Sequence, residues 1–425
     1  MSIQKDLPEL VSANIISQDT AQQITDFYKR KLETAPNRQL FIFGILGALL
    51  VGIGVMFIVA NQWDDLSQTV KTTCAFLLLI VPQLLCGYVM LSKREKIIWR
   101  ESTALLLFFA VGANISLISQ IYNINGETSS FILTWMLLTV PLIYLLNSSA
   151  VSLAYYFGIM FYCFASRYDS TDPSGQYLYW VLFILPLPLY YQQFTKSPES
   201  PLFTLHHWII PYILTQTLGT LAHESKTLMY PAYIMLFGIF YFIGNNPFFR
   251  NRSPIHNGYK LFGFLGTLIV LIVMTFKTNW KGLTEQHYLI NNLIISPEFI
   301  ACTILFSLAS ILLYRQNRDK PLSDWILLDI MYLLFLIVFI LGIWFTTLSI
   351  ILINLLVLIL GLLFIKSGSE KSHLGILNTG MFVIALLVIS RSFDSDLTFV
   401  VKGTLFVLVG IGFFAANWFM IKKRK

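Results

Sequence analysis

Charged residues make up only 12% of this 425-residue chain, while 56% of its residues are hydrophobic. A soluble domain is about 25% charged and about 45–50% apolar, so this composition argues against a soluble enzyme or a soluble binding domain. The formal net charge is +7, but the basic residues stand in short clusters between apolar runs. That pattern is typical of membrane orientation signals. We therefore expect membrane lipids around the chain and no nucleic-acid partner.

Residues that carry common catalytic or metal chemistry are also scarce. The four cysteines all lie inside apolar runs without a CxxC pair, which favours a packing role. There is no HExxH, P-loop or GxSxG motif. His206 and His207 are adjacent, so on a helix their side chains point about 100° apart and do not suit a shared metal. The sequence predicts no metal, no cofactor and no catalytic residue.

What the sequence does contain is a series of long apolar runs. About 20 apolar residues cross about 30 Å of hydrocarbon as a helix. The chain therefore predicts an all-α, polytopic integral membrane bundle of about 14 transmembrane helices within residues 40–425. The number is open within 131–166 and 325–365, where the connections are very short. The predicted spans are 40–60, 70–91, 103–122, 131–146, 149–166, 177–194, 205–221, 227–244, 261–276, 298–314, 325–345, 347–365, 374–390 and 400–420.

The polar segment 1–39 precedes these runs. Apolar residues recur in it at helical spacing, and Ser17 is placed as an N-cap. We predict a cytosolic helical hairpin that ends at Pro36. Two interpretations stay open: a solvated lead-in to the first span, or a module that docks a protein partner.

Basic residues assign an orientation to the spans. With the N-terminus in the cytoplasm and the spans alternating, 22 of the 29 Lys and Arg residues fall in cytoplasmic segments. An excess of Lys and Arg on the cytoplasmic side is the expected bias. The terminal run Lys422–Lys425 then holds the C-terminus in the cytoplasm as well.

Two apolar runs resemble each other. Residues 43–57 and 262–276 match at eight of fifteen positions without a gap. This match favours two parallel halves, 40–194 and 261–420, with the spans of 205–244 inserted between them. Parallel repeats of this kind occur in secondary transporters, although apolar segments also match by chance.

Polar side chains inside spans are expected to have a structural or functional role, because hydrocarbon offers them no hydrogen-bond partner. In the third predicted span Asn114, Ser116 and Gln120 precede Tyr122 at the outer end. Ser116 and Gln120 are four residues apart and share a helix face. They predict either hydrogen bonds between helices or the lining of a polar, outward-opening ligand cavity.

Acidic residues are the second group of candidates. Asp329 is the only acid placed inside a span, apart from Glu298 at the outer edge of another. It lies near the cytoplasmic end of its span, where it could serve a proton or cation relay or meet interfacial water or a lysine.

Two outer loops also combine charged and polar groups. A carboxylate pair there could bind a cation or act as acid and base, whereas solvated loop charge is the plain alternative. The ligand-binding candidates in these loops are Asn61, Trp63 and Asp64 after the first span, and Arg391 and Asp394 after the thirteenth.

Three stretches of the chain resemble a family of bacterial predicted membrane proteins, domain of unknown function 2157. The leader around Ile15–Ser17 and Gln22–Ile24 is similar to that family's leader. The family pattern Gly-Gln-Ile-Tyr-His is replaced here by Ser119–Asn123, so any chemistry of that histidine is absent. The resemblance implies a bacterial inner-membrane location and no assigned activity. The three stretches are Gly44–Leu66, Ser119–Glu127 and Arg391–Lys425.

Three functions stay open at this stage. The first is a transporter or flippase-like protein for a lipid-linked or amphipathic substrate, because of the span number, the repeat and the polar third span. The second is a non-catalytic membrane sensor or assembly component, because no charge lies deep in a span. The third is a membrane-embedded transferase that uses carboxylates of the outer loops.

Overall fold

The computed structural model describes residues 3–34, 38–61, 67–170, 173–223, 226–250, 256–280, 296–321, 324–394 and 398–424. Throughout these residues the regular structure is helical, which confirms the all-α prediction. The chain forms two compact units, Met1–Lys196 and Ser197–Lys425.

The first unit begins with a pair of helices in the polar leader. The Thr20 amide donates to the Ser17 hydroxyl at 3.2 Å, so Ser17 caps the second of them. The helices of this unit are α1 (Ile3–Ser12), α2 (Gln18–Thr34), α3 (Arg38–Asn61), α4 (Gln68–Ser92), α5 (Ile97–Ile121), α6 (Thr128–Leu145), α7 (Ser149–Tyr168), α8 (Leu178–Ile184) and α9 (Leu187–Lys196).

Helix α5 is the centre of the first unit, because α3, α4, α6 and α7 all pack against it. Small residues permit the approach of α3. A Cβ on Gly52 would lie 3.0 Å from the side chain of Phe109, and one on Gly44 would lie 3.2 Å from the Ser102 hydroxyl. Ala75 of α4 and Leu117 of α5 belong to one buried cluster.

The predicted span 177–194 is not one continuous helix. It is divided into α8 and α9 at Leu185 and Pro186. Proline has no amide hydrogen to continue the helical ladder, and both Pro186 and Pro188 follow the break. Tyrosine hydroxyls bond to carbonyls at the break: Tyr155 donates to the Leu182 carbonyl at 3.4 Å, the one that Pro186 leaves without its helical donor, and Tyr144 donates to the Leu185 carbonyl.

In the second unit α11 is packed on most sides, by α10, α13, α14 and α15. The backbones of α11 and α13 pack closely against each other. A Cβ on Gly263 of α13 would lie only 2.5 Å from the Tyr241 nitrogen of α11. The helices of this unit are α10 (Pro201–Leu218), α11 (Met229–Gly244), α12 (Pro247–Arg250), α13 (Gly258–Val273), α14 (Pro297–Asn317), α15 (Leu327–Leu341), α16 (Thr346–Glu370), α17 (Leu374–Asp394) and α18 (Phe399–Arg424).

The apolar runs of the sequence are helical in the structure, with 177–194 divided between α8 and α9. Among the described residues, eight helices are by themselves long and apolar enough to cross a membrane, and four shorter apolar helices accompany them. Large apolar side chains on the outside, such as Leu91 and Phe399, are about nine-tenths exposed. The chain is a multi-pass membrane protein. The eight are Gln68–Ser92, Ile97–Ile121, Thr128–Leu145, Ser149–Tyr168, Lys226–Gly244, Pro297–Asn317, Thr346–Glu370 and Leu374–Ser392.

Candidate site at an apolar groove

A groove of about 380 Å³ lies between α16 and α17 in the second unit. Its walls are almost entirely apolar, and two polar side chains, Asn354 and Arg391, lie among them. A ligand that fits this lining must have an apolar body and a polar group. The lining residues are Ile351, Asn354, Leu355, Leu358, Leu387, Val388 and Arg391.

Glycines explain why the two helices separate at this end. Near the other end, a Cβ on Gly380 would lie 2.5 Å from the Gly361 carbonyl oxygen, and one on Gly368 would meet the Leu377 nitrogen. Small residues at these places let the backbones approach closely.

Arg391 is held at the end of this groove by the end of α13. Its Nη2 group donates to the Thr275 hydroxyl at 3.1 Å, and its guanidinium lies 5.2 Å above the ring of Phe276. The guanidinium group can make both contacts at once, and together they restrict the position of the Arg391 side chain. The side chain is half-buried, so a positive charge stands where the apolar groove ends.

Asn354 contributes a hydrogen-bond acceptor to the groove. Its Nδ2 group donates to the Ile350 carbonyl at 2.7 Å. Because a carbonyl only accepts, this bond fixes which end of the amide is nitrogen and which is oxygen. The Oδ1 atom is buried and has no hydrogen-bond partner among the described residues. Buried polar atoms are normally paired, so this oxygen is an exception in the apolar wall of the groove.

The polar residues of the third predicted span have different surroundings. Asn114 is half-buried and donates to the Ala75 carbonyl of α4 at 2.7 Å. Ser116 is half-buried, and Gln120 is exposed near the end of α5. The Tyr122 hydroxyl lies 3.4 Å from that of Thr72. Asn114 therefore bonds between helices, whereas Gln120 is open to the surroundings.

The loop candidates are only partly described. Asn61 is the last residue of α3, and Trp63 and Asp64 lie outside the described residues. Asp394 is the last residue of α17, three positions beyond Arg391. Of the loop candidates, only Arg391 has described contacts.

Asp329 lies in the first turn of α15 and is 2% exposed. One carboxylate oxygen accepts from the Ile326 amide at 3.1 Å, which caps the start of the helix. Asn317 and Lys320 lie close enough to interact with it, and the Lys320 ammonium donates to the Asn317 amide oxygen at 2.8 Å. The geometry provides a helix cap with a nearby lysine.

Glu101 is a buried acid that is not among the candidates predicted from the sequence. Glu101 was placed outside the third span, but α5 begins at Ile97 and the side chain is 1% exposed. Its carboxylate accepts from the Ser148 hydroxyl at 2.5 Å, the Ser149 amide at 3.2 Å and the Ala150 amide at 2.9 Å. A carboxylate at a helix start is stabilised by the free amides and the helix dipole.

A third helix joins this network, which we call the Glu101 network. Gln193 of α9 bonds to the Ser149 hydroxyl at 2.5 Å, and Arg100 lies 3.6 Å from the carboxylate. Ser148 and Ser149 stand at the start of an apolar run. Serine is a preferred N-cap residue, so this pattern predicts a helix start whose first backbone amides need acceptors. The partner acid, 47 positions away from Ser148, could not be read from that pattern.

Comparison with known proteins covers the N-terminal third. Residues 8–152 match the model of the family of predicted membrane proteins named domain of unknown function 2157, which confirms that part of the resemblance. The C-terminal stretch of the resemblance lies outside the match. No curated protein and no solved structure matches the chain. The matched region includes α5 and ends at residue 152, just past the residues that bind Glu101.

Proposed function

We propose that the chain binds an amphipathic lipid in the groove between α16 and α17 and moves it across the membrane. The observation that carries this proposal is the lining of the groove, which is apolar except for Asn354 and the Arg391 charge. Ligand sites are mostly apolar with a few placed polar groups. A cation inside the membrane-spanning part of a protein is costly and is usually kept for function.

The proposal includes the orientation of the spans, with both termini in the cytoplasm of a bacterial inner membrane. Contacts within the first unit support the alternation. Glu101, Ser148 and Gln193 meet at ends that are all expected on the cytoplasmic side. On the opposite side Ser170 donates to Glu127 at 2.5 Å.

The span number of fourteen and the parallel repeat are also part of the proposal. Broken and short helices at membrane depth are compatible with transport, because neighbouring groups can satisfy the freed backbone. A reporter fused after Lys425 should give a cytoplasmic reading. A periplasmic reading would require an odd number of spans and would contradict this topology. Docking of a protein partner on residues 1–39 is proposed with it, since Ile15 and Phe27 are exposed there.

Transport is testable with the full chain in liposomes that contain a fluorescent lipid analogue. Adding a membrane-impermeant quencher measures how fast lipid from the inner leaflet becomes accessible. Leu355→Trp should fill the groove and slow this rate at least several-fold. Leu362→Trp is the matched control, because Leu362 is exposed on the same helix but outside the groove lining. Equal rates for both variants, or no rate above protein-free liposomes, would overturn the proposal.

A further inference from the structure

We infer that α9 is a hinged gate of the first unit, which swings about Pro186 between a closed and an open position. In the closed position α9 lies over the start of α7, where the bond from Gln193 to Ser149 acts as its latch. Three features carry this inference: the break before α9, the small buried face of α9, and the chemistry of the latch. None of them involves the groove of the second unit.

The hinge is the break in the chain between α8 and α9. Pro186 has no amide hydrogen for the helical ladder, and proline is a common cause of sharp helix bends. The carbonyls of Leu182 and Leu185 accept from the hydroxyls of Tyr155 and Tyr144, which lie on α7 and α6. Both carbonyls precede Pro186, so a rotation of α9 beyond this residue leaves their bonds in place. The backbone at the break therefore stays satisfied in either position, as membrane depth requires.

The buried face of α9 is small. Two of its side chains are buried, Leu189 and Gln193, and they lie one turn apart on the same face. Tyr191 and Thr195 are exposed on other faces of this short helix. Apolar burial is the main term that holds a helix in its place, and one of the two buried side chains is polar. The closed position of α9 therefore depends strongly on what Gln193 contacts.

The latch connects α9 to the Glu101 network through a single residue. The Nε2 group of Gln193 donates to the Ser149 hydroxyl at 2.5 Å, and the Ser149 amide donates to Glu101 at 3.2 Å. The Oε1 atom of Gln193 is also buried, but it has no hydrogen-bond partner among the described residues.

This half-satisfied amide makes the closed position only weakly favoured. Closing α9 gains the bond to Ser149, but it also takes the Gln193 Oε1 atom out of solvent without a partner, which is unfavourable. The two terms oppose each other, so the closed and open positions are close in free energy. That is the condition under which a protein populates two conformations.

The test measures distances by electron spin resonance between two labels in the full chain in nanodiscs. Labels introduced as noncanonical residues leave the four native cysteines in place. The first pair replaces Leu91 of α4 and Lys196 at the end of α9, which are both exposed. Wild type should show the distance of the closed structure and a minor second distance. The control pair, Leu91 with the exposed Val181 of α8, should show one distance, because Val181 precedes the hinge.

Variants of the latch should shift these populations in opposite directions. Ser149→Ala removes the hydroxyl but keeps the backbone amide that binds Glu101, so the ratio of open to closed α9 should rise about fivefold, as expected for one hydrogen bond. Adding Gln193→Leu replaces the second partner by an apolar group and removes the unpaired oxygen, so the double variant should return to the closed distance. Gln192→Leu is the control, because this side chain points about 100° away from that of Gln193. It should leave both populations unchanged.

A single distance for the Lys196 pair in both wild type and Ser149→Ala would overturn the hinge. A double variant as open as Ser149→Ala, or equal opening by Gln192→Leu, would overturn the latch. A second distance for the Val181 pair would contradict a hinge at Pro186. Thermal midpoints in detergent verify that each variant is folded, and the rescue by the double variant separates a latch from a general loss of stability.

Discussion

Glu101 in the first unit and Arg391 in the second have contrasting surroundings. In Met1–Lys196 the carboxylate of Glu101 accepts three hydrogen bonds from one helix start. In Ser197–Lys425 Arg391 and Asn354 line an open groove, and the Asn354 amide oxygen has no partner among the described residues. A polar group whose partners are all internal holds helices together. The charged group of Arg391 instead lies beside the open groove.

This contrast predicts the largest stability effect at Glu101. Glu101→Leu leaves the Ser148 hydroxyl and two backbone amides without their acceptor. Each buried orphan costs about 1–3 kcal/mol, so we expect the free energy of unfolding to fall by roughly 3 kcal/mol or more. Thermal or denaturant unfolding in detergent measures it.

The matched control is Glu95→Leu, since Glu95 is exposed in the turn before α5. Surface changes of this kind usually stay within about 0.5 kcal/mol. If Glu101→Leu is no worse than this control, the Glu101 network does not hold α5, α7 and α9 together, and the contrast between the units fails.

The second effect concerns the close end of the groove helices. Gly380→Ala places a Cβ 2.5 Å from the Gly361 carbonyl and 2.7 Å from the Ile365 nitrogen. Both are backbone atoms, so the helices must separate. Overpacking of this kind costs about 1–3 kcal/mol. Thermal unfolding in detergent should show this loss, with Gly410→Ala unchanged or slightly stabilised, because nothing lies within 4 Å of that position. Equal midpoints would contradict the packing account of the groove.

Much of this fold could be predicted, because each apolar run became helix. The spacing of apolar and basic residues is a local property of the sequence. The break at Pro186 was readable too, since proline removes an amide donor, yet the run was predicted as one span. What resisted prediction was the partner of each polar group. Glu101 and Ser148 are 47 positions apart, and no local pattern connects them.

The candidate site was likewise predictable from the sequence only in part. Arg391 was chosen as a charged residue at a span end, and it does line the groove. Asn354 was not chosen, although it is a lone amide in a strongly apolar run. The groove itself depends on three glycines that bring the helices together at one end only. That asymmetry appears only when both helices are placed side by side.

A smaller effect is expected at Asn114, where one hydrogen bond joins α5 to the Ala75 carbonyl. Bonds between helices in membranes are worth about 0.6 kcal/mol on average, so Asn114→Leu should lower the free energy of unfolding by about that amount. Ser116→Ala, on the same helix, is the control. A loss as large as that of Glu101→Leu would mean that the first unit depends on α4 as much as on the Glu101 network.

The smallest stability effect is expected at Gln120. The transport rate of the same variant tests whether residues of the first unit take part in lipid movement. Gln120 is exposed near the end of α5, so Gln120→Leu should change the free energy of unfolding by less than about 0.5 kcal/mol. If Gln120 lines an outward vestibule, which is one of the two interpretations of the sequence, the same variant should still slow lipid movement in liposomes several-fold. A rate equal to wild type, measured beside the slowed Leu355→Trp variant, would limit the path to the groove of the second unit. A slowed rate with unchanged stability would extend it to α5, because a residue that only packs cannot lower transport without lowering the unfolding midpoint.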